Sequence, residues 1–184
     1  MKKLLPILFI LISAKAFCQT DSVVSFSEVV KVDSVSQSEL FERARLWVND
    51  NFVSGKDVSQ IVDKEDGQIT GSGIFKSPID IHSMGLHHYI GLYTFTFKIF
   101  CKDGRYKYIF DNFNNTGFEE FPKSNEHLGL LTSATKCPTK YPLTSQKKMD
   151  EVWANAKENL KLREEVFAAG LKTAMNKKSE SSNF

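Results

Sequence analysis

Asp80, His82, His87 and His88 fall within one short stretch of the chain. Neutral imidazoles and a carboxylate are the ligands that zinc takes. A chelating helix would need His-Glu-x-x-His, and a zinc knuckle Cys-x-x-Cys. Neither spacing occurs, and His87 and His88 are adjacent. Metal sites need convergent ligands, which this spacing does not guarantee. Surface histidines without metal are the favoured reading, and a metal-assisted hydrolase built on this loop is the alternative. Cys101 and Cys137 could form a disulfide in an oxidising compartment, or both could be buried thiols. Spacing alone does not decide the pairing. As a catalytic nucleophile Cys101 is poorly placed, because it alternates onto an aromatic face where a thiolate is disfavoured. Cys137 precedes Pro138 with no identifiable base nearby. Glu119 and Glu120 read as a solvated pair rather than an acid/base couple. Gly71-Ser72-Gly73 lies inside a strand pattern, with no Lys-Ser or Lys-Thr after it, so it does not read as a phosphate loop. These glycines read instead as places where missing side chains let a helix approach. No nucleophile, base and orienting group come together. The expectation is a protein that is not an enzyme and uses no cofactor.

The elements that position these residues follow from periodicity. Residues 23–32 read as a strand, with Val24, Phe26, Val30 and Val32 on one face. A helix is expected over 36–52. Ser36 and Glu39 form a capping box at its start, and Leu40, Phe41, Ala44, Trp47, Val48 and Phe52 form its apolar stripe. Asp66-Gly67 is the expected turn of a hairpin between 58–64 and 69–76, with Val62 opposite Gly71 and Ile61 opposite Ser72. Asp103-Gly104 turns a second hairpin between 89–102 and 105–113, with Ile99 opposite Tyr108 and Phe97 opposite Phe110. Residues 77–88 read as a loop. Residues 114–143 read as an irregular connector with a short helical turn over 126–131, of a length that is often functional. A helix over 144–175 carries the stripe Met149, Val152, Trp153, Ala156, Leu160, Phe167 and Leu171. At about 45 Å it is longer than a small domain, so its far half is expected to overhang or bend near Gly170 and to offer a surface for self-association. Residues 177–184 read as a disordered tail.

The order is β-α-β-β-β-β-α. An antiparallel sheet with both helices on one face is the two-layer α+β solution. Tyr93, Phe95, Phe97, Ile99, Cys101, Tyr106, Tyr108 and Phe110 then form the covered face of the second hairpin. The other face carries Thr94, Thr96, Lys98, Phe100, Lys102, Arg105, Lys107, Ile109 and Asp111. A wet face is common in antiparallel sheets. If the fold binds anything, Thr96, Lys98, Phe100, Lys102, Arg105, Lys107 and Ile109 are the expected site. Cations beside an aromatic suit an anionic polymer, an acidic glycan or an acidic protein surface.

The N-terminus reads as an address. Lys2 and Lys3 precede an apolar run over 4–12, too short to span a bilayer, and Ala16-Phe17-Cys18 follows as a cleavage site. The expected signal peptide is 1–18, and the mature domain 19–176. Lipid attachment at Cys18 fits poorly, because Lys15 and Phe17 stand where such a signal wants aliphatic and small residues. The whole chain carries 24 Lys and Arg against 22 Asp and Glu. Loss of Lys2, Lys3 and Lys15 leaves 21 bases, a net charge of −1. That balance lacks the electrostatic drive of nucleic-acid binding. The partner expected is an unknown ligand or protein of the cell envelope or periplasm, and no transmembrane segment is expected in the mature chain.

The succession Phe26–Val32, Glu39–Trp47, Gly67–Gly73 and Lys102–Tyr108 resembles an exported bacterial family, a domain of unknown function with a TATA-binding-protein-like (TBP-like) fold. The resemblance covers 23–113, and the last helix suits the same topology. It implies the fold and export. It carries over no catalytic residue, and the DNA binding of the fold's namesake does not follow from a shared fold.

Overall fold

The computed structural model describes residues 21–52, 60–79, 89–119, 127–141 and 144–177. The elements in chain order are β1 (Phe26–Lys31), α1 (Gln37–Phe52), β2 (Gln60–Asp63), β3 (Gln68–Ile79), β4 (Tyr89–Lys102), β5 (Arg105–Phe118), β6 (Gly129–Leu130) and α2 (Gln146–Asn176). All the strands join one antiparallel sheet in the order β1-β5-β4-β3-β2, with β6 on β5. Both helices pack on the same sheet and share its core. The segment 1–20, with the signal peptide and Cys18, lies outside the described residues, as do 80–88 and 178–184.

Helix α1 starts where Ser36 Oγ accepts a hydrogen bond from Glu39 N at 3.3 Å. The other half of the expected capping box is absent, because the Glu39 carboxylate pairs with Arg43 instead. Its buried residues are those of the apolar stripe, Leu40 through Phe52. Phe95 is the centre of the core. The rings of Phe52, Phe75, Phe97, Phe110, Phe113 and Phe167 lie within 6.3 Å of its ring, bringing both helices and three strands together. Such offset and edge-to-face contacts add to the area each ring buries.

The second hairpin has the expected register from Phe97 opposite Phe110 to Lys102 opposite Arg105. The first hairpin does not. Val62 pairs with Ile69 and Ile61 with Thr70, two residues away from the expected register. Asp66-Gly67 is not a two-residue turn, since residues 64–67 together form the loop. Asp63 Oδ1 accepts from Asp66 N at 3.0 Å, and Gly67 takes φ 65° at the far end. A shift of two leaves every side chain on its expected face, so the hydrophobic pattern could not detect it. Gly71 and Gly73 are covered by rings rather than by a helix backbone. A Cβ on Gly71 would come within 2.5 Å of Phe97, and one on Gly73 within 2.5 Å of Phe95, their cross-strand partners.

Strands β3 and β5 are longer than expected. Ser77, Pro78 and Ile79 continue β3 against β4. β5 runs on to Phe118 through a register shift beside Asn112, which has φ 57°. The connector therefore begins as strand. Its expected helical turn is also absent over the described part: Gly129–Leu130 forms β6, and Val23 bridges Thr132. Asn115 explains this. It is fully buried, donates to Leu92 O and Gly117 O, and accepts from Leu128 N at 2.8 Å. A buried amide needs such partners, and here they draw the connector onto the sheet.

Helix α2 has 31 residues and neither overhangs nor bends back at Gly170. At 1.5 Å per residue it is about 46 Å long. Strands of 14 residues reach about the same length, so the sheet is long enough to carry it. Its contacts run from Asn159 on Pro78 O to Lys172 on Glu28. Leu160, Ala168, Leu171 and Met175 are all buried. The far half of the helix is therefore covered by the protein's own sheet and by α1, where Gly170 lies against Trp47 and Phe167 against Phe52.

Candidate functional site

The tip of the β4–β5 hairpin is fixed from the helix side. Gly104, at φ 72°, accepts from Val32 N and donates to Val35 O, each at 2.9 Å. Asp103 Oδ1 accepts from Gln37 N at 2.7 Å, at the start of α1. Cys101 N donates to Gly67 O at 2.8 Å, tying the loop of the other hairpin to the same end. A site on this end stands on held backbone rather than on a free loop.

On the open face, period-two alternation across three strands builds rows. Lys31, Arg105 and Lys102 are cross-strand neighbours in one row. Val29, Lys107 and Phe100 form the next, and Ser27, Ile109 and Lys98 the one after. Val29, Phe100, Lys102, Arg105, Lys107 and Ile109 line an open basin of about 490 Å³. Lys31, Lys102, Arg105 and Lys107 are exposed, and among the described residues none has an ion-pair or side-chain hydrogen-bond partner.

All seven residues expected on the open face lie there, but they divide. Phe100, Lys102, Arg105, Lys107 and Ile109 converge on the basin. Lys98 pairs with Asp111 at 3.1 Å, and Thr96 Oγ1 accepts from Asn112 at 3.4 Å, so both are engaged by the irregular part of β5. Val29 and Lys31 belong with the site and were not expected there. Alternation in β1 put them opposite Val30 and Val32, but only the pairing of β1 with β5 brings them beside Lys107 and Arg105.

The other candidates are quieter. Cys101 and Cys137 are both buried free thiols, with no bond between them. Burial pushes the Cys101 thiol up to about 12, so no thiolate is available there at neutral pH. Asp80, His82, His87 and His88 lie outside the described residues, as does Glu120. Among the described residues, no three His, Cys, Asp or Glu side chains converge as metal ligands. On the covered side, Tyr108 Oη lies 2.9 Å from Glu28 and 3.1 Å from Glu164, with Lys172 on Glu28 at 2.7 Å. The hydrogen bond from Lys172, then that from Tyr108, holds the Glu28 carboxyl below its ordinary value. Burial raises that of Glu164. A phenol has one proton to give, so the second bond of Tyr108 is made best when Glu164 keeps its own.

A sheet with one face under two helices and the other open defines a two-layer α+β domain of TBP-like type. Residues 26–116 match the family described as "Domain of unknown function (DUF4468) with TBP-like fold". A crystal structure of a DUF4468 family protein from Bacteroides ovatus is similar at 17% identity and a TM-score of 0.62, covering 88% of this chain and 91% of that one. A TBP-like protein from Parabacteroides distasonis is similar at 17% identity and a TM-score of 0.53, covering 85% and 95%. At such identity the likeness shows the fold. No curated protein matches the sequence. No described helix is long and apolar enough to cross a membrane.

Proposed function

We propose that this protein is an exported, non-enzymatic binding module that holds an anionic partner on the open face of its sheet. The observation that carries the reading is the row Lys31, Arg105 and Lys102, beside Lys107 and around the apolar residues Val29, Phe100 and Ile109. Like charges directly opposite each other on a sheet are destabilising. Solubility alone is served as well by mixed charges, as at Lys98 and Asp111. Unpaired cations gathered on a fixed hairpin end are instead what an anionic partner would satisfy. The charge is local, so a near-neutral mature chain does not oppose it. Export rests on the basic, apolar and Ala-x-Cys succession at the N-terminus.

The test is a panel of defined anions: polyglutamate, alginate and phosphatidylglycerol vesicles, offered at low salt to the wild type and to Arg105→Glu/Lys107→Glu. Retention of the wild type on at least one of them, and loss of it in the variant, is expected. Equal retention of both proteins would place binding elsewhere.

A further inference from the structure

The charged side chains that line the basin only donate. Lysine and arginine have no acceptor, and Lys31, Lys102, Arg105 and Lys107 are the cations present. A sugar is rich in hydroxyls that need acceptors as well as donors, and these cations offer none. A ligand of acceptor-only groups, such as carboxylates, fits them. The floor of Val29, Phe100 and Ile109 asks for something apolar. Val29 is 58% exposed, so this floor is not already covered by the protein itself. A simple polyanion would leave it bare. A volume of about 490 Å³ lies within the range of sites that take a compact organic group, and a recess accepts a protruding side chain better than a flat lipid surface.

The spacing is the sharper constraint. The cationic row and the row of Val29, Lys107 and Phe100 are two residues apart along their strands. That separation is about 6.8 Å. An extended peptide laid along the strands has the same separation between side chains i and i+2, which point the same way. An acidic residue over the first row thus brings a residue two positions on over the floor.

We propose that the basin takes an extended acidic segment of another protein, with a carboxylate over Lys31, Arg105 and Lys102 and an apolar side chain two residues away over Val29, Phe100 and Ile109. This rests on the reading of the open face as the binding surface and gives it an occupant.

The experiment uses the mature protein, labelled for backbone amide NMR, and short synthetic peptides of two kinds. In one, acidic residues flank a phenylalanine at the i+2 spacing. In the other the phenylalanine is alanine. The first should move the amides of Val29, Phe100, Lys107 and Ile109, and the alanine peptide should bind about ten-fold more weakly. Arg105→Glu/Lys107→Glu, still cooperatively folded, should weaken the first peptide by about ten-fold or more, and added salt should weaken it further. Equal binding of the two peptides would overturn the proposal, because charge alone would then explain the site. The proposal also falls if alginate or phosphatidylglycerol vesicles move these amides and neither peptide does, although the open face would stand as the binding surface. If no probe moves them, both readings fail.

Discussion

At the scale of single residues, the cations of the basin oppose the fold that carries them. Arg105 lies between Lys31 and Lys102 in one cross-strand row. Arg105→Glu turns two repulsions into attractions. It should therefore raise stability by about 0.2–1 kcal/mol while weakening anion binding, as urea unfolding of both proteins would reveal. A loss of stability would mean that Arg105 supports the sheet in some other way. Glu164 is a second case. Burial raises its carboxyl above the ordinary value of 4.5, so the folded chain holds a proton that the unfolded chain releases. Stability from this group is then full below pH 4.5 and is lost as pH rises from there through the folded-state value. Glu28 works the other way, because its carboxyl is lowered, and its contribution is lost on acidification. Glu164→Gln keeps a partner for Tyr108 without a charge, so it should remove that decline and raise stability at neutral pH. Parallel pH profiles for wild type and variant would count against a proton held at Glu164.

At the scale of elements, Asn115 joins three segments that periodicity leaves apart: β4 through Leu92, the end of β5 through Gly117, and the connector through Leu128. Asn115→Ala strands a buried donor at Leu128 N and should cost about 1–3 kcal/mol. Faster hydrogen exchange at Leu128 and Leu131 would accompany it, while the amides at the hairpin tip stay protected. Helix α2 is the other decisive element. A chain ending at Lys161 loses Ala168, Leu171 and Met175 from the core, together with Phe167, which stacks on Phe95. Removal of one such side chain costs about 2–5 kcal/mol, and the whole stability of a domain is about 5–15 kcal/mol. The shortened chain should therefore show no cooperative thermal unfolding. A folded monomer of unchanged stability would mean that the far half of α2 is dispensable.

At the scale of the whole molecule, the two layers divide the work. The helices and the aromatic face of the sheet supply stability, and the opposite face is left open. Such a division lets the basin carry unpaired charge, because burial elsewhere offsets the repulsion. The proposed export concerns the chain as a whole. Intact mass of the protein recovered from the cell envelope should correspond to a start at Gln19. A lipid on Cys18, or an uncut N-terminus on the recovered protein, would sink that expectation.

Much of this was legible in local sequence. Helical spacing marks the stripe from Leu40 to Phe52, and Asp103-Gly104 sets the second hairpin with its register, because both signals are carried by neighbours along the chain. Alternation also assigned the two faces of β4 and β5, since side chains in a strand alternate whatever the partner is. The rest depended on contacts between distant residues. A four-residue loop and a two-residue turn preserve the same faces, so the first hairpin's register was not written in its pattern. Asn115 looks like any polar loop residue until the fold buries it, and the length of α2 looks excessive until strands of matching length lie beneath it. The basin is the plainest example. Phe100, Lys102, Arg105, Lys107 and Ile109 come from one hairpin and could be named from its turn, whereas Val29 and Lys31 come from a strand far earlier in the chain. Only the pairing of β1 with β5, a long-range choice made by the core on the other side of the sheet, completes the cationic row.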